Sequence, residues 1–145
     1  MKIRKYKPVD RQEVLNMVSE VLGDIFNGDP HQFKLLKEFR VKKDYLSFLV
    51  VEVDKRVVGT MALKKIDNKT VRLKRMYVRK GYEGRGIAQK LLDNLVNFAR
   101  EKGYEKMILS TYPIMENAHR FYKKNGFVET AGEDPERVHV MKYLK

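Results

Sequence analysis

Three glycines fall within six residues, Gly81, Gly84 and Gly86, between two apolar runs of different period. Before them, Met76, Tyr77 and Val78 read as the end of a strand. After them, Ala88, Leu91, Leu92, Leu95 and Ala99 recur at helical spacing. A glycine turn at a helix N-terminus can cradle a phosphate. The first N–H groups of a helix have no internal partner, and the helix dipole places partial positive charge there. Glycine lets the main chain take positive φ and approach an anion without a Cβ in the way. Arg85 lies inside the turn and adds a full charge. Two other readings of this stretch stay open: a tight connecting loop, or the glycine turn of a dinucleotide-binding fold. The latter normally follows the first strand of a βαβ unit, whereas here the turn comes after residue 80 and several strands.

The elements that must position this turn follow from spacing. Residues 3–6 suit a first strand, broken by Pro8. Asp10-Arg11-Gln12-Glu13 reads as a capping box that opens a helix with Val14, Val18, Val21, Leu22 and Ile25 on one face. Asp29 and Pro30 read as the N-cap and first-turn proline of a second helix reaching about residue 40. Strands are expected over 45–53, 57–63 and 70–78, joined by turns short enough to require antiparallel hairpins. Gly59 marks a close backbone approach. The helix after the glycine turn closes at Gly103, and 106–110 reads as a short buried strand. A single helix between it and 70–78 makes those two strands parallel. A helix over 115–124 and closing strands at 127–129 and 137–143 complete one α/β (α+β) domain over 1–145. Its sheet has about seven strands, is mixed but mostly antiparallel, and is flanked by helices.

One strand breaks its own alternation. Val71 and Leu73 share a parity, but the next residue in phase is Arg75, and apolar character resumes at Met76 and Val78. A period of two cannot do this without an extra residue, so a β-bulge is expected near Lys74 and Arg75.

Composition narrows the classes. The 145 residues suit one domain with a substantial core. Cysteine is absent, which excludes disulfides, thiolate metal sites and a cysteine nucleophile, and suits a cytoplasmic setting. No run approaches membrane-spanning length. The net charge of +12 attracts anions in general. The basic residues are dispersed and no zinc-finger, RRM or helix-turn-helix pattern occurs, so no specific nucleic-acid partner is expected.

A strand meander, a glycine turn before a long helix, and then ENAHRFYKKNGF over 116–127 resemble the GNAT superfamily of acetyl-CoA-dependent N-acetyltransferases. The resemblance covers essentially the whole chain in order and spacing. It implies the GNAT fold and acetyl-CoA as cosubstrate, with no metal. The family's phosphate loop, (Gln/Arg)-x-x-Gly-x-(Gly/Ala), lands on residues 81–86, with Gly81 where Gln or Arg is usual. The resemblance further implies that Met76, Tyr77 and Val78 meet the pantetheine arm. Main-chain N–H groups from Gly84 through Arg85, Gly86, Ile87, Ala88 and Gln89 would hold the pyrophosphate, with Arg79, Lys80 and Arg85 as nearby charges. Asn117 corresponds to a cofactor-bonding asparagine, and Tyr122 to a tyrosine near the thioester sulfur.

The chemistry required is transfer to an amine. At a reference pKa near 10.4, only about one primary amine in two thousand is neutral at pH 7. The site must deprotonate the amine, position it and stabilise developing negative charge. A phenol can protonate the departing thiolate, which makes Tyr122 the candidate acid. For the base, many relatives carry Glu where this chain has Arg72, and a guanidinium cannot serve. Glu52, Glu116, His119 or a water chain remain, with His31 and His139 uncommitted. Arg72 and Arg75 could instead bind an acidic group on the acceptor. The expected partner is a small-molecule amine, amino-acid-like or bearing an acidic group, acted on by a monomer or homodimer. A protein acceptor and a non-catalytic CoA-binding sensor are the alternatives.

Overall fold

The computed structural model describes residues 1–29 and 44–144. One seven-stranded sheet runs in the order β1-β2-β3-β4-β5-β7-β6. Its strands are β1 (Lys2–Lys5), β2 (Tyr45–Val53), β3 (Arg56–Lys65), β4 (Thr70–Val78), β5 (Lys106–Thr111), β6 (Val128–Glu129) and β7 (Val138–Tyr143). β4 and β5 are parallel, and every other neighbouring pair is antiparallel. The helices are α1 (Arg11–Phe26), α2 (Ile87–Glu101) and α3 (Glu116–Lys124). The mixed sheet and its one parallel pair match the sequence expectation. The expected second helix from Asp29 lies outside the described residues, as does His31.

Two cores sandwich the sheet. Leu91, Leu92, Leu95 and Ala99 of α2 pack with Val71, Leu73 and Met107 on one face. Val14, Met17, Val18 and Leu22 of α1 pack with Phe48, Val50, Ala62 and Tyr77 on the other. Both helices therefore bury an apolar stripe against strands that are apolar on the matching face.

Local rules explain the connections. The β2–β3 hairpin turns on Asp54 (φ 50°) and Lys55 (φ 65°), the two left-handed residues that a tight primed turn requires. At Gly59 a Cβ would stand 2.7 Å from Ile87 Cγ2, so glycine lets the first turn of α2 seat directly on β3. The capping box at Asp10 is not formed. Residues Pro8–Asp10 make a 3₁₀ turn instead, and Asp10 Oδ2 accepts the Lys7 N–H (2.8 Å) and an Arg4 hydrogen bond (2.7 Å). Asp10 therefore caps the 3₁₀ turn rather than α1, and Arg4, six residues earlier, holds the same carboxylate.

The expected bulge is present in β4. Thr60 faces Tyr77 and Ala62 faces Lys74, so Arg75 and Met76 together stand opposite Met61. Arg75 takes φ 59°, and the buried Thr60 hydroxyl donates to the Arg75 carbonyl at 2.7 Å, pinning the extra residue in place. Val71 and Leu73 before the bulge, and Met76 and Val78 after it, can thus all face α2.

Candidate functional site

The glycine turn delivers the start of α2 to a cleft. Gly84 (φ 76°) and Gly86 (φ 78°) hold left-handed conformations, and neither has an atom within 4 Å of where a Cβ would lie. Backbone conformation, not crowding, is what calls for glycine here. Gly86 is the N-cap, and the first bond of the helix runs from Lys90 N–H to its carbonyl at 3.0 Å. Helix geometry leaves Ile87, Ala88 and Gln89 N–H without a carbonyl inside the helix. Glu83 is not a stray charge: its Oε2 accepts the Gly81 N–H at 2.9 Å and closes the turn.

The sheet splits beside this turn. β4 pairs with β5 only from Thr70 to Arg72, against Lys106 to Ile108. Beyond that point 73–78 of β4 have no partner on β5, while β5 continues on β7 through Thr111. A cleft of about 1620 Å³ fills the split, lined by both strands, the turn, the start of α2 and one side of α3. Parallel strands joined by a helix normally stay paired, so this divergence opens hydrogen-bonding edge to the interior of the domain.

Most residues singled out from sequence converge here. Met76, Tyr77, Val78, Gly84, Gly86, Ile87, Ala88, Gln89, Asn117 and Tyr122 all line the cleft. Gly81 and Arg85 do not; the Arg85 guanidinium lies over the Tyr82 ring, 4.8 Å from its centroid. Gln89 bridges α2 to the end of α3 through Asn125 Oδ1 (2.8 Å), and Asn117 Oδ1 accepts from Arg120. Arg79 is buried and turned away: it pairs with Glu20 at 2.9 Å and donates to the Val57 carbonyl, which ties α1 to the sheet. Lys80 faces Asp24 at 3.9 Å.

Tyr122 is 3% exposed, packed edge-on between Phe121 (5.2 Å) and Phe127 (5.3 Å). Burial, with a smaller contribution from Tyr77, pushes its phenol well above the ordinary value of 10. Tyr122 lines the cleft as a neutral phenol that is a weaker acid than a free one.

Across the cleft lies a group of cations. Arg72, Lys74, Arg75 and Arg137 line it and are half-buried. Arg72 and Lys74 project to the same side of β4, opposite Leu73. Neither has a carboxylate partner among the described residues. Burial, then the charges of Arg75, Lys64, Arg72 and Arg137, bring the Lys74 ammonium down from 10.5 to about 8. Burial and Arg137 lower Arg72 as well. Arg137 is oriented by Ser110 Oγ (2.9 Å), by the Tyr112 ring 4.4 Å away, and loosely by Asp134 at 4.0 Å. Arg75 donates to the Tyr45 hydroxyl at 3.1 Å.

Of the described carboxylate and imidazole candidates from sequence, Glu116 and His139 line the cleft and Glu52 and His119 do not. Glu52 does not line the cleft; its Oε1 accepts from Arg4 at 3.0 and 3.1 Å. His119 is bound to the Thr111 hydroxyl, and Glu116 is an exposed first-turn residue of α3. His139 Nε2 bonds the Asp134 carbonyl at 2.8 Å, with its ring so close to Gly132 that a Cβ there would be 2.1 Å away. Sequence reading missed Lys74 and Arg137. The signal for Lys74 was its parity with Arg72 on a strand whose other face is apolar. Arg137 had no local signal, because only the sheet order brings it to Arg72.

Comparison with known proteins agrees with this geometry. The model of the "Acetyltransferase (GNAT) family" matches residues 14–127. Human N-acetyltransferase 8B is 35% identical over 100 residues, covering 62% of this chain and 44% of its own length. The N-acetylaspartate synthetase of Rattus norvegicus is 30% identical over 100 residues, covering 68% of this chain and 33% of its own. The chain thus spans less than half the length of these curated relatives. Among solved structures, a GNAT-family acetyltransferase from Staphylococcus aureus Mu50 superposes with TM-score 0.85 at 25% identity, covering 99% of both chains. PaiA N-acetyltransferase from Thermoplasma acidophilum, solved with coenzyme A, superposes with TM-score 0.86 at 23% identity over 98% of both chains. At that identity the second likeness speaks for the fold.

Proposed function

The chain belongs to the GNAT acetyltransferase family, and on that premise we propose that it moves an acetyl group from acetyl-CoA to the primary amine of a small acceptor carrying a carboxylate. One observation carries the reading: the split between β4 and β5 opens at one end onto the start of α2 and at the other onto Arg72 and Lys74, which have no carboxylate partner among the described residues.

The residues present fit coenzyme A. The amides from Gly84 through Gln89 supply N–H donors and the helix dipole for a diphosphate, with no Cβ at Gly84 or Gly86 to obstruct it. The family pattern also fits two residues later, over 83–88, where Gly86 and Ala88 are its small residues. That register agrees with Gly86 as the N-cap, and Glu83 then becomes the departing residue. The open edge of β4 at Met76, Tyr77 and Val78 offers main-chain groups to the amides of the pantetheine arm, as an added strand would. When bound, acetyl-CoA supplies an acetyl thioester open to attack by nitrogen. Tyr122 Oη donates a hydrogen bond to the sulfur as negative charge develops there; burial makes this phenol a weak acid, so its proton passes to sulfur only as the acceptor nitrogen's proton replaces it. The bulge at Arg75 interrupts the β3–β4 ladder beside the cleft, and the Arg75 carbonyl is held by the Thr60 hydroxyl.

A carboxylate on the acceptor would give Arg72 and Arg137 the counter-ion they lack or hold only loosely. Charge-assisted bonds from guanidinium to carboxylate are among the strongest available. The names of the N-acetylaspartate synthetase relatives point the same way. Calorimetry with coenzyme A tests the cosubstrate half of the reading, and thiol release from acetyl-CoA across amines and amino acids tests the acceptor half. Heat on mixing that disappears in Gly86→Val, with thiol release on amino acids, is the expected result. A folded protein that gives no heat would contradict it.

A further inference from the structure

We propose that Lys74 is the group that takes the proton from the acceptor's ammonium. This inference rests on the acetyl-transfer reading above and assigns the one role in it that the carboxylates and histidines leave open.

Lys74 immediately precedes the Arg75 bulge, on the strand whose open edge lines the cleft, and its side chain stands on the same side of β4 as Arg72. Its charged surroundings come from three elements. Arg72 and Arg75 are on β4, Lys64 is on β3, and Arg137 directly precedes β7. Of the described acids, Asp44 sits 3.6 Å from Lys64 and Asp134 4.0 Å from Arg137, while Glu133, also in the cleft lining, is exposed. The Tyr45 hydroxyl is taken by Arg75. Among the described residues, the charges that act most strongly on Lys74 are all positive, and a half-buried amine in that field releases its proton readily. At its value of about 8, roughly one molecule in ten carries neutral Lys74 at pH 7.

Binding of the acceptor then reverses the balance. A carboxylate docking on Arg72 and Arg137 cancels positive charge around Lys74 and raises its proton affinity while the acceptor's ammonium lies in the same cleft. One N–H bond of the ammonium breaks and one Nζ–H bond forms on Lys74, leaving the acceptor nitrogen neutral with its lone pair free. When the amide C–N bond forms, the second proton lost from nitrogen leaves with the thiol by way of Tyr122. Lys74 returns its own proton to solvent as product departs, so acetyl-CoA and ammonium yield amide, CoA thiol and one proton.

The test is the pH profile of kcat/KM for two acceptors whose own amines titrate at different pH, in wild type and in Lys74→Met. In wild type the rising limb should lie near pH 8 for both acceptors. In Lys74→Met, kcat/KM at pH 7 should fall about a hundredfold or more, and each limb should move to the titration of that acceptor's own amine. Because the chain has no cysteine, Lys74→Cys treated with 2-bromoethylamine places a single thioether amine at this position. That amine is a weaker base than lysine, so activity should return with the limb at lower pH. Coenzyme A calorimetry on each variant reports whether the cosubstrate site is intact. A wild-type limb that follows the acceptor, or an unchanged profile in Lys74→Met, overturns the role of Lys74 while acetyl transfer stands. Absence of thiol release by wild type with every amine overturns both.

Discussion

Two clusters of charge in this small domain have opposite economies. At Arg4, one guanidinium is met by two carboxylates: Asp10 takes paired bonds of 2.7 and 2.8 Å, and Glu52 accepts at 3.0 and 3.1 Å. At the cleft, Arg72 and Lys74 have no carboxylate among the described residues, and Arg137 has one only at 4.0 Å. The first cluster joins β1, β2 and the turn before α1, and its charges are satisfied within the fold. The second is unsatisfied until something anionic arrives. Partial burial is common to both, so compensation is what separates scaffold from site.

The sharpest way to break the contrast is to remove compensation where it exists. Asp10→Ala should lower stability by about 2–3 kcal/mol in denaturant unfolding, through loss of charge-assisted bonds and a stranded Arg4. Turnover per folded molecule should be unchanged, because Asp10 lies outside the cleft. At the other cluster, Arg72→Met should raise the acceptor KM about thirtyfold, equivalent to about 2 kcal/mol for a guanidinium–carboxylate contact, and leave the KM for acetyl-CoA unaltered. Equal effects on both substrates would place Arg72 in the fold instead.

Smaller effects follow from titration, and the two clusters have opposite signs. Arg4 holds the Asp10 carboxyl below its usual range, so its contribution is complete above the unfolded value near 3.9 and is lost as pH falls through the folded one. Asp10→Asn should flatten that acid limb. For Lys74 the folded value of about 8 lies under the ordinary 10.5, so the unfolded chain binds more protons between them and stability rises with pH across that window. Lys74→Met should therefore stabilise the protein at pH 7 while disabling it, by a margin that shrinks as pH rises toward the ordinary 10.5. A destabilised Lys74→Met would mean that the ammonium is not held against its preference.

How much of this was legible in the sequence depended on the range of the interactions. The glycine turn, the helix it opens and the β4 bulge follow from local pattern: positive-φ demand at Gly84 and Gly86, and a parity break between Leu73 and Met76. Ion-pair partners are not local. Arg79 looked like a phosphate ligand beside the turn, yet Glu20 on α1 claims it. Asp10 looked like a helix cap, yet Arg4 takes it. Arg137 gained meaning only when the sheet order brought β4, β5 and β7 side by side.

The central claim is that the open cations await an acceptor's carboxylate. Thiol release should be measured on an amino acid and on its amide, matched in all else, at several salt concentrations. The acid should be favoured at least tenfold in kcat/KM, with a preference that shrinks as salt rises. Equal rates on acid and amide at low salt would contradict it.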